Sequence, residues 1–309
     1  MRAPSTIGRP LTPGKAYAVL FERAARAGAL LVVLLGAAVI LGWFLNIASL
    51  KSVLPGLATM KVNTAIGFVA AGVSLWLLHT GAPGSRSFLL GRCLAIVVAV
   101  LGGLTLAEDV FGLNLGIDQF IMRDDFMAID TPNPGRMSPA TAFNFVFVGF
   151  ALLSLKARHY GIAVCAHWLV VPPLFIATLA VVGYTYGVSS LYQVSFFSSM
   201  ALHTAVAFFV IVVSILVANV RFGFARIATS DTMVGLLSRW LLPTIPIMLF
   251  TLGWLRLEGE KAGLYEFQFG VALMVLMSIV VCVIAVAWTA IILHRIDITR
   301  KRARPRSGI

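Results

Sequence analysis

The sequence predicts an all-α, polytopic membrane protein whose eight transmembrane helices form four hairpin repeats, with both termini cytoplasmic. Three observations carry this expectation. Of the 309 residues, 60% are hydrophobic and only 12% are charged, whereas a soluble domain carries about 25% charged residues. Eight apolar runs, near 26–46, 61–80, 92–112, 138–156, 162–184, 201–220, 241–257 and 267–293, approach the roughly 20 residues that cross ~30 Å of hydrocarbon. One pattern also recurs at the mouth of three runs: Met60, Thr64 and Phe68; Met137, Thr141 and Phe145; Met200, Thr204 and Phe208. At i, i+4 and i+8 such side chains lie on one stripe of a helix, so the same groups recur at one depth on three helices and face a shared interior. Self-similarity of this kind marks one structural unit copied along the chain.

The first run is too long for a signal-peptide core and has no small-residue cleavage site after it, so it reads as a retained span. The outward spans share an ending. Gly42 with Trp43, Gly183 with Tyr184 and Gly253 with Trp254 set a small residue and an amphipathic ring at the outer boundary. The third span ends instead on Glu108, Asp109 and Gly112. Spans two, four and six open with the Met-Thr-Phe pattern. The eighth opens with Glu266, Phe267 and Gly270, making the fourth hairpin the divergent copy. Pro172 and Pro173 in the fifth span, and Pro243 and Pro246 in the seventh, remove backbone donors; kinks are expected there, or a late start at Pro243.

Orientation follows from short basic loops, which resist translocation. The N-terminus through Arg26, the segments around 86–92, 156–158 and 221–239, and the tail 295–306 hold 18 of the 24 Lys and Arg residues, which places them in the cytoplasm. Most acids fall on the opposite face. The net charge of +12 therefore sits on helix flanks and in a tail suited to anionic lipid, and nucleic acid is not an expected partner. The division is a basic N-terminus (1–25), an eight-helix membrane domain (26–293) and a basic tail (294–309) that carries no output domain. Cys93, Cys165 and Cys282 show no metal-ligand spacing and read as inert packing residues.

The chemistry-bearing residues gather near the outer boundary. Asn63, Thr64, Thr141, Asn144, His203 and Thr204 fall in the first turns of returning spans, where two readings stand. They cap helix starts, or they line an outward-opening polar pocket with Met60, Met137 and Met200. Glu108 and Asp109 match that depth, His203 is the pocket's titratable nitrogen, and Asp118 lies in the loop 113–136, whose length suits a lid. His79 and His294 are the best pair for axial haem ligation, although helix C-termini commonly carry histidine. The methionines lack the close Met partners of a copper site and suit packing. No phosphate loop, HExxH or serine elbow is present, so no enzyme activity and no cofactor are implied.

Four groups of residues resemble a bacterial membrane-associated sensor region, the kind found N-terminal to PAS, histidine kinase or diguanylate cyclase domains. They are Leu54, Pro55 and Gly56 before Met60, Asn63 and Thr64; Gly116 and Asp118 ahead of Gly135 to Ala142; Gly183, Tyr184, Leu191 and Tyr192 before Met200 to Ala205; and Leu241, Pro243, Gly253, Trp254 and Arg256. The resemblance implies a multi-pass protein of the bacterial inner membrane, a non-enzymatic input domain that detects a small ligand or membrane condition and signals through its last helix. Its expected partners are the lipid bilayer, a second copy of the chain, and a separate cytosolic or membrane signalling protein. Two alternatives remain: a small transporter, and a haem- or quinone-binding redox protein.

Overall fold

The computed structural model describes residues 14–53, 57–122, 133–157, 159–187, 200–220 and 222–303, which are helical with no β-strand among them. The helices are α1 (Lys15–Phe44), α2 (Ala48–Lys51), α3 (Val62–Thr80), α4 (Arg86–Phe111), α5 (Pro139–Ser154), α6 (Tyr160–Leu169), α7 (Val171–Tyr186), α8 (Leu202–Ala218), α9 (Gly223–Thr229), α10 (Met233–Lys261) and α11 (Phe267–Ala303). Their starts and stops follow local chemistry. Ser85 and Ser138 accept hydrogen bonds from the Phe88 and Thr141 amides at the beginnings of α4 and α5, and Gly112 and Gly187 end α4 and α7 in the left-handed conformation.

Among the described residues, six stretches are long and apolar enough to cross a membrane: Lys15–Phe44, Val62–Thr80, Arg86–Phe111, Val164–Tyr186, Met233–Lys261 and Phe267–Ile291. A seventh results if α8 and α9 count as one bent span, while α5 is apolar but has only 16 residues. Of the eight spans expected from the sequence, six are thus found at full length; the fourth and sixth are shorter because α5 ends at Ser154 and α8 at Ala218, two residues before their apolar runs do. At 1.5 Å per residue, α5 covers only about 24 Å. Both shortened helices are packed among others, and an enclosed helix need not match the thickness of lipid.

The chain divides into two compact units, one from Pro13 to Arg226 and one containing Ile227–Ile309. In the first, α3, α5 and α8 contact one another, while α1 lies against α3 and α8, α4 against α3 and α5, and α7 against α5 and α8. The returning helices therefore form the centre. Composition explains this placement: α3 buries Ala65, Gly67, Ala70, Ala71, Gly72 and Ser74, small residues that let helices approach where no hydrophobic effect drives them together. Between α4 and α5 two glycines permit close backbone approach. A Cβ on Gly102 would lie 2.5 Å from the Ala142 carbonyl, and one on Gly149 2.7 Å from the Ala99 amide. Gly102→Val is expected to cost about 1–3 kcal/mol, read as a lowered unfolding temperature in detergent; an unchanged midpoint would show that α4 and α5 separate freely.

The break between α6 and α7 falls at Val170, and Pro172 and Pro173 occupy the first turn of α7. A missing N–H has no consequence in that turn, so the irregularity expected of these prolines takes the form of a break at Val170 inside the span Val164–Tyr186. Pro243 and Pro246 lie inside α10, which runs unbroken from Met233 rather than starting late.

In the second unit α10 packs against α11, joined by a turn in which the Tyr265 hydroxyl donates to the Arg256 carbonyl at 2.8 Å and Arg256 pairs with Glu260 at 3.0 Å. Trp240, Ile247, Val275, Val286 and Trp288 expose large apolar surfaces, as lipid-facing helices do. The three cysteines are exposed on their helices. They are not packing residues, which corrects the sequence reading: burial depends on which way each helix faces, and a lone small residue does not encode that.

Candidate functional site

The stripes meet. The rings of Phe68, Phe145 and Phe208 are fully buried, with centroids 5.0, 4.7 and 4.9 Å apart in a closed triangle. One turn nearer the mouth, Thr64, Thr141 and Thr204 are each 2% exposed, and Met60, Met137 and Met200 are buried just before their helices begin. The Met-Thr-Phe spacing thus marks the inward faces of α3, α5 and α8.

Each of these helices is tied at its mouth to the end of the helix before it. Trp43 donates from Nε1 to the Met60 carbonyl at 2.8 Å, and Tyr184 donates from its hydroxyl to the Met200 carbonyl at 2.8 Å. Trp43 is buried, with the Lys51 ammonium 4.6 Å above its ring, so it serves as a latch rather than as a ring lying in the lipid interface. In the middle hairpin the corresponding position is Asp109, and the tie is ionic.

That tie centres on Arg136, the residue before Met137. Its Nε donates to Asp118 at 2.7 Å, Nη1 to Asp109 at 3.2 Å and Nη2 to the Leu113 carbonyl at 3.3 Å, with Glu108 3.6 Å away. Glu108 is fully buried and accepts from the Leu115 amide at 2.6 Å. Burial works against the charged guanidinium, but the hydrogen bond and charge of Asp118, followed by the hydrogen bond of Asp109 and the charge of Glu108, outweigh it and raise Arg136 above the ordinary arginine value. A raised folded-state value makes this contribution complete below the unfolded value; it is lost only as pH rises past the folded one, so Arg136 stays charged under any working condition. Gly135 takes the left-handed conformation against the Asp118 carbonyl, and Gln119 donates to the Pro134 carbonyl at 3.2 Å. Both described ends of the loop 113–136 are thereby fastened together. Asp124, Asp125 and Asp130 lie outside the described residues, as do Leu191 and Tyr192.

The structure separates the candidates into two groups. Glu108, Asp109 and Asp118 converge on Arg136, which sequence reasoning did not single out; its signal was a basic residue directly before Met137 on the acid-rich face. Met60, Thr64, Met137, Thr141, Met200 and Thr204 line the three inward stripes. Asn63 and His203 sit one residue before their threonines, about 100° around the helix from the stripe. Capping accounts for only part of this second group. Ser138 caps α5 and lies 2.8 Å from the Thr141 hydroxyl, whereas Lys61 and Ala201, at the starts of α3 and α8, provide no side-chain cap.

Asn63 accepts from the Thr64 amide at 2.7 Å through its Oδ1, but polar atoms on three side chains are left over. Asn63 Nδ2, both side-chain polar atoms of Asn144 and both ring nitrogens of His203 are buried without a hydrogen-bond partner, at 5%, 0% and 9% exposure. Leaving such a group unpaired costs about 1–3 kcal/mol. The mouth is thus a packed surface with unused hydrogen-bonding capacity, able to donate to and accept from a small polar molecule. Of the pair considered for haem, His79 lies at the opposite end of α3 and His294 is exposed on α11. Among the described residues no group of three or more His, Cys, Asp or Glu side chains is placed to hold a metal ion. No protein-family model, curated protein or solved structure matches the chain.

Proposed function

We propose that the chain is a non-enzymatic sensor or signalling input domain of the bacterial inner membrane, which recognises a small polar ligand at the mouth of α3, α5 and α8. The observation that carries this reading is the set of buried polar atoms without a partner, Asn63 Nδ2, both side-chain polar atoms of Asn144 and both ring nitrogens of His203, in an otherwise closely packed bundle. Polar groups that weaken the fold are retained where function uses them. In this reading the hairpins are four copies of one unit, both termini face the cytoplasm, and ligand binding alters helix packing and moves the last helix. The signal then passes to a second copy of the chain or to a separate signalling protein. Transport is the weaker reading, since the Phe68, Phe145 and Phe208 rings close the centre of the bundle below the polar mouth, and no observation favours the redox alternative.

Substitution of Asn144 and His203 by leucine tests the proposal. Each is expected to raise stability by about 1–3 kcal/mol, because an unsatisfied polar group is replaced by an apolar one, and each should abolish the shift in unfolding temperature that an amino acid, dicarboxylate or sugar gives the unmodified protein. If the leucine variants are less stable, these groups are structural; if no compound in the panel shifts the unmodified protein, the ligand-binding reading fails.

A further inference from the structure

A cavity of about 750 Å³ opens at the other end of the first unit, where α3, α5 and α8 finish and α1 starts. Its size falls within the ~300–1,000 Å³ typical of small-ligand sites. Glu22, Arg26, His79, Lys156, Asn219 and Phe222 are among its walls. Lys156 is already committed: its ammonium donates to the carbonyls of His79 at 2.6 Å and Gly81 at 3.1 Å, from a backbone held at φ +55°. It thereby neutralises the negative end of α3 and fixes one wall.

Other donors in the cavity are unused. Arg26 makes one long hydrogen bond, from Nε to the Glu22 carbonyl at 3.4 Å, which leaves its terminal nitrogens without an acceptor among the described residues. Asn219 is 7% exposed and its Nδ2 has no partner; His79 Nδ1 has none either. Two cations against one carboxylate leave a single net positive charge. A phosphate monoester, with a charge near −2, would exceed it, and a small carboxylate would leave most of the volume empty. Lys15 and Arg86, at the starts of α1 and α4, mark this as a basic end of membrane helices, where phosphodiester headgroups concentrate.

We propose that this cavity binds a singly charged phosphodiester headgroup, with Arg26 and the Asn219 amide donating to its non-bridging oxygens. The test is native mass spectrometry of the delipidated full chain in detergent, titrated with phosphatidylglycerol. Arg26→Ala is expected to weaken lipid occupancy about tenfold, the loss of one charge-assisted hydrogen bond, and Asn219→Ala about three- to tenfold. Arg23→Ala, an exposed change on the same helix, should leave occupancy unaltered. Equal losses in Arg23→Ala and Arg26→Ala would reveal diffuse charge attraction and overturn the proposal, as would undiminished binding in both cavity variants. Should Arg26→Ala unfold, Arg26→Gln is scored by the same readout. Glycerophosphoglycerol, the deacylated headgroup, then separates the sources: displacement of the lipid supports a site that also takes soluble phosphodiesters, and no displacement supports one reserved for membrane lipid.

Discussion

Replacing Arg136 by methionine is expected to destabilise the protein by about 3–5 kcal/mol, the cost of removing one partner from a buried ionic group. The size of the effect comes from what remains. Glu108 is fully buried, and Asp109 and Asp118 have side-chain exposures of 20% and 9%, so three carboxylates would face one another with no countercharge. Arg136→Lys should lose less but still measurably, because one ammonium cannot reach Asp118, Asp109 and the Leu113 carbonyl from three separate nitrogens as the guanidinium does. Adding Asp109→Asn and Asp118→Asn to Arg136→Met should recover part of the loss. Chemical unfolding in detergent measures all three variants, and limited proteolysis within 113–136 reports whether the loop comes away. A methionine variant as stable as the original protein would mean that the cluster is solvated and holds nothing together.

Phe145→Ala is expected to cost about 3–5 kcal/mol. The ring touches Phe68 and Phe208 and also packs over Gly67, whose absent Cβ would lie 2.7 Å from it. No neighbour can collapse into the space without moving a backbone. Aromatic pairs add about 0.5–1.5 kcal/mol beyond the area they bury. A double-mutant cycle between Phe68→Leu and Phe208→Leu should therefore give a coupling energy of that order; strict additivity would show that the three rings act independently.

Periodicity made the interior of the bundle legible. The spacing of Met60, Thr64 and Phe68, repeated twice, picked out the residues that α3, α5 and α8 turn inward, because position along a helix fixes direction around it. The same logic could not reach the latches. Trp43 and Tyr184 occupy the boundary positions where aromatic residues commonly meet lipid, and only the fold reveals that each donates to the carbonyl of the methionine just before the returning helix. Glu108, Asp109 and Asp118 were recognisable as acids in an unusual place, but their common partner Arg136 lies beyond a long loop. For Pro172 and Pro173 the composition announced an irregularity without its form: the residues that bend a helix from within can equally begin one. Span length was only partly legible, for the opposite reason. Apolar composition continues past the ends of α5 and α8, since residues packed against protein and residues packed against lipid are alike in hydrophobicity.

The three latches have a bearing on how the chain assembles. Trp43 reaches 17 residues along the chain, Tyr184 16, and Arg136 18 back to Asp118, whereas the phenylalanine triangle joins residues from three separate hairpins. Short-range closures cost less loop entropy than long-range ones. Each hairpin is accordingly expected to enter the bilayer already closed at its tip, its polar end groups satisfied, before it has met another. The aromatic centre then forms by docking of finished pieces, and damage to a latch should be felt during biogenesis, as chains that insert but do not join, before it is felt in the mature bundle.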